Sequence, residues 1–113
     1  MNEQITNLLE KLKADSISFK DVIEFIESHY QFHPTSFKNG GAYNEASQNQ
    51  GSAKVFSFAL LNNLSKEDTL LLFAEHYQAV LNASEGTDHQ NIRQFIYHGW
   101  PGVAFEGQAL TEK

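Results

Sequence analysis

Residues 52–61 read Ser52-Ala53-Lys54-Val55-Phe56-Ser57-Phe58-Ala59-Leu60-Leu61. Val55, Phe56, Phe58, Ala59, Leu60 and Leu61 stand so close together that a helix here is apolar nearly all round, and such a helix belongs in the middle of a domain. The stretch predicts a central, buried helix that flanking elements must cover. Upstream of it, Asn44 to Gly51 is rich in Asn, Gln and Ser with almost no apolar residue, which predicts a loop. Before that, Asn39-Gly40-Gly41 is strong turn chemistry between Phe37 and Tyr43 and predicts a short β-hairpin over 35–43. Pro34 cannot continue a helix and drives His33 toward extended backbone.

Two amphipathic helices precede the hairpin. Ile5, Leu8, Leu9 and Leu12 fall at i, i+3, i+4 and i+7, so the first helix ends near Ala14. Ser18 and Asp21 form a helix-start pair, after which Phe19, Val22, Ile23, Ile26 and Tyr30 continue one face to about Tyr30. Downstream of the central segment, Ser65 with Asp68 starts a fourth helix carrying Leu70, Phe73, Ala74, Tyr77 and Leu81. Thr87 and Gln90 read as a T-x-x-Q capping box for a fifth, with Ile92, Phe95 and Ile96 on its stripe and Gly99 just past its end. Pro101-Gly102 then breaks the chain, and Val103 to Glu106 is expected to pair as a strand with the hairpin. The fold class is therefore α+β and mainly helical: about five helices with a small antiparallel sheet, in one domain spanning 1–113.

Composition narrows the function. At 113 residues, with 41% hydrophobic and 19% charged residues, the chain can close one core and has no room for two. It has no cysteine, which excludes disulfides, thiolate nucleophiles and Cys-ligated zinc or iron–sulfur centres. Fourteen acidic against eight basic residues give a net charge of −6, so nucleic acid is not expected as a partner. Glu3 and Glu10 interrupt the first apolar stripe, unlike a signal peptide, and no apolar run approaches bilayer length. A soluble, cytoplasmic monomer without membrane association is expected.

Two polar clusters stand out. Asn44, Glu45, Gln48, Asn49, Gln50, Ser52 and Lys54 crowd the turn into the central helix, where backbone N–H groups and Lys54 suit a small anion; the plainer alternative is that these amides satisfy backbone groups in an irregular loop. In Asp88-His89-Gln90-Asn91 with Arg93, the adjacent Asp88 and His89 do not form a catalytic dyad by spacing, which leaves His89, Asn91 and Arg93 to reach toward the first cluster. Five histidines invite a metal reading, but His29 and His98 suit helix C-termini and His33 has left its helix. No metal or other cofactor is expected. Trp100 fits the core edge, and neither a nucleophile elbow, a metalloprotease helix, a phosphate-binding loop nor a dinucleotide fingerprint occurs.

Several motifs carry a resemblance. They are Tyr30-Gln31-Phe32-His33-Pro34-Thr35-Ser36-Phe37-Lys38-Asn39-Gly40, Asn44-Glu45-Ala46, Gln48-Asn49, Gly51-Ser52 and Lys54. Glu85-Gly86-Thr87-Asp88-His89-Gln90-Asn91-Ile92-Arg93, Gly99-Trp100 and Phe105-Glu106-Gly107-Gln108-Ala109-Leu110-Thr111 join them. Together they resemble the HopJ family, named for a type III effector of plant-pathogenic bacteria, over nearly the whole chain. The resemblance implies type III delivery without implying a chemical mechanism. Where the family is expected to carry Cys after Gly-Ser this chain has Ala53, so a thiol role does not transfer. An effector is also expected to begin with a flexible, Ser-rich segment, whereas an amphipathic helix is expected here from Ile5, which favours a resident protein.

The leading expectation is a non-enzymatic binding module for a protein or small polar ligand, using Asn44, Glu45, Gln48, Asn49, Ser52, Lys54, His89, Asn91 and Arg93. The competing one is a small enzyme acting on a polar metabolite, with Glu45 or His89 as the acid–base residue.

Overall fold

The computed structural model describes residues 2–113, with side chains from Glu3 onward. Two helices come first, α1 (Asn2–Lys13) and α2 (Phe19–His29). The stripe of Ile5, Leu8, Leu9 and Leu12 is buried, as are Val22 and Ile26 of α2. The pair at the start of α2 is a true capping box, with Ser18 N–H donating to Asp21 Oδ2 at 2.9 Å and Asp21 N–H to Ser18 Oγ at 3.4 Å. Strands β1 (Tyr30–Phe32), β2 (Phe37–Asn39) and β3 (Ala42–Asn44) follow, then α3 (Gln50–Leu61).

α3 is the central helix, and it starts two residues before the predicted Ser52. Ala53, Val55, Phe56, Phe58 and Ala59 are fully buried. The Phe56 ring touches those of Phe37, Phe73, Phe95 and Trp100, with centroids 4.9–6.2 Å apart. Its burial is not complete all round, because Leu60 and Leu61 at its C-terminal end are about half exposed.

The predicted fourth helix divides into α4 (Lys66–Leu71), capped by Ser65 Oγ accepting from Asp68 N–H at 3.1 Å, and α5 (Glu75–Asn82). The break lies at Ala74, whose φ of 51° and ψ of −122° take the chain out of any helical path. Nothing in the apolar spacing reveals this, since Ala is the strongest helix former. α6 (Gln90–His98) is the sixth helix. Its predicted capping box is corrected: His89 occupies the N-cap in left-handed backbone (φ 51°), and Gln90 Nε2 instead donates to the Thr87 carbonyl at 2.6 Å. Gly99 ends the helix at a φ of 65°, as its position suggested. A 3₁₀ turn (Trp100–Gly102) leads to β4 (Val103–Phe105) and β5 (Leu110–Glu112).

There are two small antiparallel sheets. The expected one has the order β3-β2-β4, with Phe37 opposite both Asn44 and Phe105. The second, β1 with β5, pairs Tyr30 with Glu112 and Phe32 with Leu110 and was not foreseen. The first sheet lies beside α6 and brings Asn39 and Asn44 under the helix's first turn.

Candidate functional site

The site grows from three buried asparagines. Asn44 ends β3, Asn39 ends β2 and Asn91 lies in the first turn of α6, and at 1%, 0% and 7% exposure none can use bulk water to satisfy its amide. They therefore bind one another. Asn44 Nδ2 donates to Asn91 Oδ1 at 3.1 Å while Asn91 Nδ2 donates back to Asn44 Oδ1 at 2.9 Å. Asn39 Nδ2 donates to the Asn91 carbonyl at 2.8 Å and to Asn91 Oδ1 at 3.1 Å, and Asn39 Oδ1 has no partner. Asn49 Nδ2 adds a 2.6 Å bond to Asn44 Oδ1. Reciprocal amide pairing of this kind fixes the start of α3 against the start of α6.

Both helix starts share an uncommon construction. Asn49 before α3 and His89 before α6 lie in left-handed backbone and neither side chain caps its helix. The first-turn N–H groups of α3 and α6 thus lack the usual side-chain acceptor. They border a cleft of about 510 Å³, lined by Asn44, Gln48, Asn49, Gly51 and Ser52 on one side and His89, Gln90, Asn91 and Ile92 on the other. Phe19, Tyr43, Phe73 and His76 complete the wall. His76 packs edge-on to Phe19 with centroids 4.8 Å apart and lies 5.0 Å from the His89 ring. Neither ring makes a hydrogen bond among the described residues, and His89 Nε2 lies 3.9 Å from Asp88 Oδ2.

Of the residues singled out in the sequence, Asn44, Gln48, Asn49, Ser52, His89 and Asn91 meet on this cleft. Three do not line it. Glu45 is exposed beside the loop. Lys54 pairs with Glu27 at 2.9 Å and lies over the Phe32 ring. Arg93 binds Asp88 Oδ1 at 2.7 Å and the Ser84 carbonyl at 3.3 Å, bracing the loop before α6. That guanidinium holds the Asp88 carboxyl below the usual carboxylate range. Phe19, Phe73 and His76 were missed: the two Phe read as core stripe residues, and no spacing in the sequence marks His76.

The other histidines have structural surroundings. His29 Nδ1 donates to the Phe25 carbonyl at 2.9 Å in the last turn of α2, and His33 Nε2 lies 2.9 Å from Thr111 Oγ1. Trp100 donates from Nε1 to the Leu64 carbonyl at 3.1 Å and closes the core edge. Among the described residues no group of three potential ligands is placed to hold a metal ion, and no helix is long and apolar enough to cross a membrane.

Comparison with known proteins places this arrangement in a family. The model of the HopJ type III effector protein family matches residues 5–110, and the chain belongs to that family. A crystal structure of a protein of unknown function, VPA0580, is 44% identical, covers 96% of this chain and 92% of its own, and superposes with a TM-score of 0.88. No curated protein matches the sequence.

Proposed function

We propose that the chain is a binding module for a small polar ligand, held in the cleft between the starts of α3 and α6. The observation that carries this reading is the reciprocal Asn44–Asn91 pair, which joins two polar stretches distant in sequence along the edge of one concavity. A volume of about 510 Å³ is in the range of metabolite sites. Asn44, Asn49 and Asn91 are held by hydrogen bonds among themselves, which lowers the entropy lost on binding. Family membership suggests an effector-like role, and delivery by a type III system concerns where the module acts, not what it holds.

The test is to titrate the isotopically labelled chain with a broad library of metabolites and anions and follow amide shifts. Changes centred on Asn44, Asn49 to Ser52, His76 and His89 to Ile92 are expected; a library-wide silence, or shifts elsewhere, would overturn the reading. One observation favours an enzymatic alternative: the His76 and His89 rings stand together with uncommitted nitrogens, as acid–base residues must. A turnover assay on whichever metabolite binds decides between the two. Delivery is tested separately, by fusing a reporter after α1 and measuring whether a type III system exports it.

A further inference from the structure

The two buried asparagines at the base of the cleft have their oxygens fully engaged from within. Asn44 Oδ1 accepts from both Asn49 and Asn91, and Asn91 Oδ1 accepts from both Asn39 and Asn44. At the opening stand the pair of imidazoles, with ring centroids 5.0 Å apart and no ring hydrogen bond, beside the Gln48, Asn49, Ser52 and Gln90 side chains and the first-turn backbone N–H groups. The charged groups nearby are already engaged. Glu75, on α5 next to His76, accepts from Phe19 N–H at 2.7 Å, and Asp88, 3.9 Å from His89, is held by Arg93. Tyr43 of β3 reaches Glu106 at 3.4 Å, and the first turn of α3 carries no acidic residue. Lys54 is tied to Glu27 on the other side of α3. Among the described residues that line the cleft, only the histidines can carry a positive charge, being side chains that change charge between about pH 5 and 8.

Resting on the cleft reading above, we infer that its ligand is a small carboxylate and that it is captured together with one proton held by the His76–His89 pair. A carboxylate is all acceptor and complements a protonated imidazole flanked by first-turn backbone N–H groups. One proton and not two is taken up from solvent, because two imidazolium rings with centroids 5.0 Å apart would repel. Affinity is then greatest in mild acid and is lost as pH rises.

The experiment uses the full labelled chain with acetate and benzoate, each compared with its neutral amide, acetamide or benzamide, at pH 5.5 and 8.0. Binding is followed at the His76 and His89 rings and at the Gly51, Ser52 and Gln90 amides. The carboxylates should bind at least about tenfold more tightly than the amides at pH 5.5 and weaken at least about tenfold by pH 8.0. Amides that bind as well as the acids, or carboxylate binding that is flat with pH, would overturn the inference while leaving the cleft reading intact; no response from any of the four would overturn the inference and count against the cleft. The single variants His76→Gln and His89→Gln should retain amide dispersion and weaken benzoate binding, and the double variant should lose the pH dependence and at least about tenfold in benzoate affinity. Benzoate binding by a folded double variant at the original strength would sink the proposal.

Discussion

Two pairs of histidines mark two regions built on opposite terms. His29 and His33 sit at the junction of α2 and the β1–β5 sheet, where a main-chain carbonyl and a threonine hydroxyl engage their rings. His76 and His89 sit at the cleft, where their rings pack on each other and on Phe19 and make no hydrogen bond, with Asp88 3.9 Å from His89. The first region spends its polar groups on holding the fold, whereas the second keeps its rings uncommitted and places the committed amides one layer beneath. A site for a partner requires the second arrangement, since a group already satisfied inside the protein has little to gain from a ligand.

The most severe way to probe this contrast is to remove the layer beneath the cleft. Asn91→Leu keeps the side-chain volume but strands the buried Asn39 and Asn44 amides, and should cost about 3 kcal/mol in denaturant unfolding; a loss under about 0.5 kcal/mol would mean that this layer is solvated like the cleft itself. Next in size is Ala74, which starts the helix bearing His76 from a backbone conformation that only glycine adopts without strain. Ala74→Gly should raise stability by about 1–2 kcal/mol, and unchanged thermal and chemical midpoints would show that the turn is not strained. The histidine pairs can then be compared directly. His29→Ala should cost about 1 kcal/mol through its lost hydrogen bond, while His76→Gln should change stability by less than about 0.5 kcal/mol; equal losses would erase the distinction.

The smallest effect concerns the carboxylate next to His89. Asp88 titrates below the usual carboxylate range because Arg93 hydrogen-bonds it, so its contribution to folding is present above the unfolded-state value and fades as pH falls through the folded one. In Arg93→Ala the Asp88 carboxyl resonance should titrate at higher pH. An unmoved midpoint would remove Arg93 as the cause.

What the sequence made legible follows from which forces act locally. α1, α2 and α3 were readable because each buries a stripe or most of a circumference of apolar residues at helical spacing, and the Ser18–Asp21 box acts within four residues. The split at Ala74 was not readable, because an alanine carries no mark of left-handed backbone. Neither was β1 with β5: strands of three residues owe their existence to a partner remote in sequence, not to their own composition. The same division runs through the cleft. Asn44 and Asn91 stood out as polar residues beside apolar runs, although their mutual pairing is tertiary. His76 gave no signal, being the second residue of a helix whose start the periodicity hides. Arg93 and Lys54 drew notice as charges, and both are occupied by acidic neighbours outside the cleft.

The pairing of Tyr30 with Glu112 also has a consequence for how the chain comes into being. During synthesis β1 emerges early and stays without its neighbour until residues 110–112 have been added, about eighty residues later. Its unpaired edge is meanwhile open to other nascent chains. A stop codon just before Leu110 would leave that edge exposed for good, and aggregation in the producing cell, more than loss of any single contact, would be its visible result.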